Sequence, residues 1–382
     1  MTIKPKKICG FLIVLALIFP VFIILPSPAL SAPETKKQQT SGEISKELDV
    51  LKDQADVLSA SVENMEETWA RIVNVSGYMD AEYIIDDRKG KPDGFRVHHF
   101  SLFLEKKLSR DWSVFSELEF EDAPFLQASS PESISAAQGK ILLEQAYTDF
   151  HAAPNISFRI GRFLTPAGIW NINHYPPFVT TQSRPLHIRN IFPQYLDGIQ
   201  AHGDVNALDY LISYKAYVAN GEGNSGTGDE NEEKAIGGRI EFTAPFVIEV
   251  KLGFSAISDK LNSGSDKTAT GVDAQFRFSW LKIQGEYAQA KIKPVEGTTF
   301  NAVGYYLQGQ TDIGRWTLFV RHDYYDANDS LPDNGLAVNT AGLNYHWTPT
   351  IVSKIEGNFY DFKSLEVGED YASWILSLAV FF

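Results

Sequence analysis

Large apolar side chains recur at every second position in one segment after another through the last four fifths of this 382-residue chain. For example, Val272 and Phe276 fall on one face of an extended strand while Asp273 and Arg277 fall on the other, because side chains alternate across a strand. This pattern predicts an all-β fold, either a soluble β protein or a transmembrane barrel. Sixteen such segments are each about long enough to cross a bilayer at a tilt: 73–83, 96–106, 112–120, 141–151, 156–162, 197–204, 209–218, 235–243, 247–256, 270–279, 280–290, 301–311, 315–325, 337–347, 351–361 and 371–382.

Aromatic residues favour the transmembrane alternative. They make up 13% of the chain, with 25 Phe and 16 Tyr. Many lie at the ends of the apolar faces, as Tyr345 and Trp347 do in one segment and Trp374 and Phe382 do in the last. Aromatic girdles that flank an apolar band are typical of a lipid-facing wall. We therefore predict that residues 73–382 form a transmembrane antiparallel β-barrel of about 16 strands.

The N-terminus predicts export. Three lysines precede an apolar run at residues 11–25, and small residues follow up to Ser31. This order of basic, apolar and small residues is typical of a secretory signal peptide, predicted here at residues 1–31. An uncleaved anchor is the alternative, although the run contains Pro20 and is short for a spanning helix. The single cysteine, Cys9, belongs to the predicted signal, so the mature protein would form no disulfide.

Before the predicted barrel, the apolar residues repeat with a different spacing. From Ile44 to Ile72, apolar residues follow one another at alternating spacings of four and three. A strict 3.5-residue repeat is typical of a coiled coil, because a lone helix drifts off it. We predict a periplasmic linker and a short N-terminal α-helical coiled coil at residues 32–72, with a lone amphipathic helix as the alternative and the number of helices open. The predicted seam comprises Ile44, Leu48, Leu51, Leu58, Val62 and Met65.

The residues argue against several classes of function. The sequence has no G-x-S-x-G, P-loop or H-E-x-x-H motif, so we predict no catalytic residues and no cofactor. His98 and His99 are expected on opposite faces of a strand, which would prevent joint metal ligation, and no metal site is predicted. Calcium binding by the acidic, Gly-rich loop 220–234 is a weaker alternative. A formal net charge of −14 argues against nucleic acid as a partner.

Charges of both signs are expected to line the inside of the barrel. Several opposite charges lie two residues apart on one face, such as Arg239 with Glu241 and Arg321 with Asp323. Most of these are expected to pair with each other and to solvate a polar wall.

One long segment, residues 163–196, contains no Asp or Glu in an otherwise acidic chain. A segment of this length must fold into the lumen or cover its mouth, and a subunit contact or surface loop is the alternative. Folded inward, its basic side chains would face the acidic strand at 112–120 and create a transverse field across the passage. The constriction predicted in this way comprises Arg184, His187, Arg189, Glu117 and Glu119.

Two further arginines lie at the root of this segment and are included in the predicted constriction. Arg159 is expected to point inward. Arg162 lies two residues after Ile160 and so on the same face of the strand, which would face lipid. A bulge at Gly161 or the end of the span would be needed to turn it inward.

The stretch EQAYTDFHAAPNISFRIGRFLTPAGIW, residues 144–170, is similar to the strand-turn-strand and following G-R-F-x-T-P-x-G of the phosphate-selective porin O and P superfamily. The resemblance implies a porin of the outer membrane, and some porins of this group carry an N-terminal coiled coil. Phosphate selectivity in the family depends on a ladder of arginines and a lysine cluster, and this sequence shows no such cluster. The last strand resembles the targeting signal that the barrel-insertion machinery reads, through Phe382, Val380 and Leu378.

The function predicted from these features is that of a homotrimeric porin in the outer membrane of a Gram-negative bacterium, with its coiled coil in the periplasm. A barrel of this size leaves water inside, so small hydrophilic solutes are the expected substrates, with an anion or carboxylate preference set by residues 163–196. The other expected partners are outer-membrane lipid and the insertion machinery. The alternative is a structural anchor whose coiled coil tethers the barrel toward the cell wall. The identity of the solute is not predicted.

Overall fold

The structure is a computed structural model of the chain, which separates into two compact units, Met1–Ala60 and Ser61–Phe382. In the first unit, residues 51–54 and 57 are helical. Of the predicted coiled-coil seam only Leu51 is described, and the predicted signal peptide lies outside the described residues, so both stay predictions. The described residues are 51–54, 57, 72–130, 133–221, 231, 233–245, 248–364 and 368–382, with the backbone alone at 125–130, 133–138 and 245.

The described part of the second unit forms a closed antiparallel barrel. Each strand pairs with its neighbours in sequence, and the last strand also pairs with the first, where Tyr78 lies opposite Phe381. Closure leaves no open strand edge. The predicted all-β barrel of sixteen strands is therefore confirmed. The strands are β1 (Asn74–Asp86), β2 (Gly94–Lys107), β3 (Trp112–Ser130), β4 (Ser133–Ala153), β5 (Ile156–Leu164), β6 (Tyr195–Ala207), β7 (Tyr210–Ala219), β8 (Ala235–Pro245), β9 (Glu249–Lys260), β10 (Asp266–Arg277), β11 (Leu281–Lys293), β12 (Phe300–Ile313), β13 (Trp316–Asp326), β14 (Leu336–Thr348), β15 (Ile351–Phe362) and β16 (Tyr371–Phe381).

β3 and β4 are longer than the sequence predicted. Both extend the hairpin beyond the predicted segments, β3 forward to Ser130 and β4 back to Ser133. Pairing in the extension is irregular, with a register shift between Glu121 and Phe125. The sequence there does not alternate between apolar and polar residues, so it carried no strand signal.

The wall of the barrel is apolar outside and polar inside. On β9, Leu252 and Phe254 are 45% and 48% exposed, whereas the next residue, Ser255, is buried. In a soluble protein large apolar side chains on one strand face would be covered by a core. Here the covered side is the polar one, which is the arrangement that a lipid-facing wall requires. Among the described residues, no helix is both long enough and apolar enough to span a bilayer.

Aromatic side chains pair across neighbouring strands on this wall. The rings of Trp112 and Phe150 lie 4.7 Å apart, and those of Trp316 and Tyr345 lie 4.6 Å apart. The C-terminal Phe382 is half exposed and stacks on Phe100 of β2. Such pairs add to the stability of the strands that carry them.

His98 and His99 both point into the barrel, which corrects the prediction that they face opposite sides. The pairing of β1 with β2 passes from Asp80 opposite His99 to Ala81 opposite Val97, so His98 is the extra residue of a β-bulge. Nδ1 of His99 lies 2.8 Å from one Asp80 oxygen, and Nδ1 of His98 lies 3.6 Å from the other. The argument from strict alternation against joint ligation by these two residues is therefore wrong.

Candidate functional site

The connection between β5 and β6, residues 165–194, is here called the lumen loop. Its two ends are held together, because the Thr165 amide donates to the Gln194 carbonyl at 2.9 Å. Asn171 Nδ2 donates to the Thr165 carbonyl at 2.7 Å and to the Gln194 carbonyl at 3.0 Å. The amide of Trp170 then donates to Oε1 of Glu286 on β11 at 2.9 Å. The first turn of the lumen loop is thus attached to a part of the wall far from β5.

The middle of the lumen loop reaches the last strands of the barrel. Lys354 Nζ on β15 donates to the Val179 carbonyl at 2.8 Å. Two residues along the same strand, the Glu356 carboxylate accepts the amides of Gln182 at 2.6 Å and Ser183 at 3.0 Å. Buried backbone groups need hydrogen-bond partners, and charged side chains of the wall supply them here.

The same part of the lumen loop also contacts the first strand. Gln182 Nε2 donates to Asp80 and to Glu82 on β1, each at 2.6 Å. Arg321 on β13 donates to the Ser183 carbonyl at 2.8 Å. Contacts with β1, β11, β13 and β15 place the lumen loop inside the barrel.

The basic residues of the lumen loop differ in their surroundings. His187 is buried, with its ring against Tyr306 and its Nε2 3.6 Å from Glu286. Arg189 is one-third exposed, and its guanidinium lies 3.6 Å from Oε1 of Glu144 on β4. The side chain of Arg184 makes no ion pair or hydrogen bond with any residue that the structure describes.

Glu117 and Glu119 lie beneath the lumen loop. Both are fully buried. Glu117 accepts a hydrogen bond from the Tyr175 hydroxyl of the lumen loop at 3.3 Å, and Glu119 accepts one from Tyr78 on β1 at 2.6 Å. The sequence prediction set these carboxylates across an open passage from the loop arginines, whereas in the structure Glu117 contacts the lumen loop directly and Glu119 bonds to Tyr78 of the wall.

The two arginines at the root of the segment lie on opposite sides of the wall. Arg159 points inward and forms two hydrogen bonds of 2.8 Å with Asp149. Arg162 bonds in the same two-pronged way to Asp197, its direct partner on β6. The pairing around Gly161 is regular, so Arg162 keeps the outward parity of Ile160, and it does not reach the lumen loop.

Many wall charges pair with a neighbour two residues away, as expected. Arg239 lies 2.7 Å from Glu241, and Arg321 lies 2.6 Å from Asp323. Lys354 is an exception, because its ammonium group donates to the lumen loop.

Open space remains between the lumen loop and parts of the wall. One cavity of about 350 Å³ is lined by Trp170, Tyr175 and Lys282, and a second of about 590 Å³ is lined by Phe178, Arg277 and again Lys282. A third, of about 270 Å³, lies beside β7 and β8 and is lined by residues that include Lys215, Arg239 and Glu241.

Three cations on the strands line these cavities and make no ion pair within the described part of the chain: Lys215, Arg277 and Lys282. Asp312 also lines the largest cavity and accepts a hydrogen bond of 2.5 Å from Thr317. Sequence parity placed these cations on the inner wall, but it carried no signal that they would stay unpaired beside the remaining space.

Comparisons with known proteins support the architecture. No family model matches the sequence. An uncharacterized protein of Aquifex aeolicus is 30% identical over 191 residues, which are 50% of this chain and 39% of that protein. The chain therefore matches less than half the length of that relative.

Several solved structures share the barrel. The anion-selective porin from Comamonas acidovorans has a TM-score of 0.61 at 15% identity, over 81% of this chain and 99% of that one. A trimer form of OmpT from Vibrio cholerae has a TM-score of 0.56 at 10% identity, over 81% and 99%. The outer membrane channel DcaP of Acinetobacter baumannii has a TM-score of 0.51 at 15% identity, over 81% and 97%. Identities this low show the shared fold alone.

Proposed function

We propose that this chain is an outer-membrane porin, a water-filled channel for the diffusion of small hydrophilic solutes. The observation that carries the proposal is the lumen loop, which is fixed inside a closed barrel and leaves cavities of about 350 and 590 Å³ beside it. A barrel of sixteen strands is too wide for its own side chains to fill, so a loop that narrows it sets the size of the passage.

We further propose that the passage prefers anions, including carboxylates. The acidic residues of β1 and β15 are engaged by the lumen loop, as in the hydrogen bonds of Asp80 with Gln182 and of Glu356 with Ser183. The cations Arg277 and Lys282, in contrast, line the open space without an ion-pair partner among the described residues. Fixed charge in a narrow passage acts on ions with little intervening water. Arg184 stays in the proposed selectivity set, and Arg162 is left out of it.

The proposed porin is a homotrimer in the outer membrane of a Gram-negative bacterium. The half-exposed apolar side chains of the outer wall, such as Leu252 and Phe254, suit contact with lipid. The similarity to a trimeric form of OmpT and to outer-membrane channels supports this assembly and location.

Planar lipid bilayers test the proposal. The purified, folded chain should produce stepwise conductance, and in a gradient of KCl the reversal potential should move toward the chloride equilibrium potential. A folded barrel that gives no conductance would contradict the channel and favour the structural anchor. A reversal potential that moves toward potassium would contradict the anion preference and leave the channel standing.

A further inference from the structure

Three side chains from three different elements meet beneath the lumen loop, and we call them the inner triad. Glu117 comes from β3, Glu144 from β4 and His174 from the lumen loop. One donor atom of each lies within 4.8 Å of the donor atoms of the other two. Both carboxylates are fully buried, and His174 is 3% exposed.

Glu117 has one carboxylate oxygen without a hydrogen-bond donor. Its Oε2 accepts from Gln145 at 2.8 Å and from Tyr175 at 3.3 Å. Its Oε1 is also buried, and no donor among the described residues reaches it. A buried carboxylate oxygen that lacks a partner is costly, and a bound cation would remove that cost.

The orientation of His174 points to the same conclusion. Its Nδ1 lies 3.2 Å from the Asn171 carbonyl oxygen, which can only accept, so we assign the proton to Nδ1. The neutral ring then has a lone pair on Nε2, and this atom lies 3.1 Å from Oε2 of Glu144. Two lone pairs face each other there unless a proton or a metal ion lies with them. Histidines that bind metals typically donate their other N–H to a carbonyl or carboxylate in this way.

The charge around the inner triad also favours a cation. Within the described residues, the one permanently charged cation in ion-pair contact with the triad is Arg189, 3.6 Å from Glu144 Oε1. That same oxygen also accepts from the Gln194 side chain. Arg189 therefore compensates Glu144 alone, and Glu117 forms no ion pair with a permanently charged cation of the described residues, whereas buried charges require closer compensation than this.

We propose that the inner triad binds one divalent first-row transition metal ion, of which Zn²⁺ is the representative, and that the ion attaches the lumen loop to the wall. One imidazole nitrogen with carboxylate oxygens is a donor set that suits such ions. Bonds of about 2.0–2.1 Å in a tetrahedral site separate the donors by roughly 3.4 Å. The His174–Glu144 distance of 3.1 Å is close to this separation, and a small movement of Glu117 completes the site.

The experiment uses the full chain, folded, stripped of metal with EDTA and titrated with Zn²⁺ by calorimetry. We expect one Zn²⁺ per chain, and binding weakened about tenfold or more in Glu117→Gln and His174→Gln, each of which loses one ligand. The matched control is His151→Gln, because His151 bonds to Ser157 far from the triad and its loss should leave the affinity unchanged. X-ray absorption of the zinc-loaded wild-type protein should show one imidazole nitrogen among oxygen donors.

Several outcomes would overturn the proposal. If the wild-type chain binds no Zn²⁺, the His174–Glu144 contact is an imidazolium–carboxylate ion pair. If both variants bind Zn²⁺ as tightly as the wild type, the ion lies elsewhere. Should the variants fail to fold, the absorption spectrum of the wild-type protein decides, since zero or several imidazoles would contradict the assignment.

Discussion

Gly168 of the lumen loop packs against the carboxylate of Glu286 on β11. A Cβ atom at position 168 would lie 1.8 Å from Oε2 of Glu286, and the φ angle of Gly168 is +61°. The same carboxylate accepts the Trp170 amide at 2.9 Å and lies 3.6 Å from His187. Glu286 therefore contacts both arms of the lumen loop, and the close approach requires a glycine.

The substitution Gly168→Ala should loosen the lumen loop. The strained backbone alone should cost about 1–3 kcal/mol, and the contact with Glu286 adds to this. Limited proteolysis should cut the loop faster, and single-channel traces should become noisier. Gly309→Ala is the control, because a Cβ there would meet nothing within 4 Å. Equal cleavage rates in the two variants would show that Gly168 does not hold the loop.

Neutralising cations beside the cavities should shift ion preference. We expect the double variant Arg277→Gln and Lys282→Gln to lower the ratio of chloride to potassium permeability by about twofold or more. A twofold change corresponds to only ~0.4 kcal/mol, which is small beside the Coulomb energy of a unit charge a few ångströms away. Lys293→Gln removes a positive charge from the outward face of β11 and should leave the ratio of chloride to potassium permeability unchanged. A double variant with the wild-type reversal potential would exclude these residues from the passage.

Tyr175 gives a prediction for alkaline pH. Burial, followed by the nearby Glu117 and Glu144 carboxylates, raises the pKa of Tyr175 well above its ordinary value of 10.0. Above pH 10 the unfolded chain would lose this proton while the folded chain keeps it, so stability falls as pH rises. In protein stripped of metal with EDTA, the thermal midpoint of Tyr175→Phe should therefore fall less between pH 9 and 12 than that of the wild type. Tyr305→Phe, on the exposed outer face, is the control. Parallel curves for wild type and Tyr175→Phe would contradict this linkage.

The C-terminal residues should be needed for barrel closure. Phe382 exchanges two hydrogen bonds of 2.9 Å with Gly77, and its ring stacks on Phe100. Deleting Phe381 and Phe382 should sharply lower the amount of heat-modifiable barrel in the outer membrane. Phe382→Trp keeps an aromatic ring and should assemble normally. Normal assembly of the deletion variant would contradict both the proposed need for these residues in barrel closure and the predicted targeting role of Phe382, Val380 and Leu378.

The predicted coiled coil can be tested by crosslinking. Cysteines placed at Leu51 and Leu58, one position at a time, should give disulfide-linked or bifunctionally linked chains, with trimers as the largest product. Asp53 lies two residues from a seam position, and a cysteine there is the control that should crosslink poorly. Purely monomeric products at the seam positions would rule the coiled coil out.

Alternation along the chain was enough to determine the barrel wall. Because side chains change face at every residue, the sequence alone assigned Leu252 and Phe254 to the outside and Lys251 to the inside. It also located the long segment without carboxylates, and it anticipated ion pairs between neighbours on one strand, such as Arg321 with Asp323.

Only the tertiary structure decided where the alternation of side chains between the two faces of a strand is interrupted, and which inward charges contact the lumen loop rather than line a cavity. His98 joins His99 inside because the partner strand β1 has one residue fewer at that point, which the sequence of β2 alone cannot show. Lys354 and Lys282 have the same inward parity, yet the first donates to the lumen loop and the second lines a cavity. That difference arises from the path of a loop far away in sequence, since an interior contact depends on both of its partners.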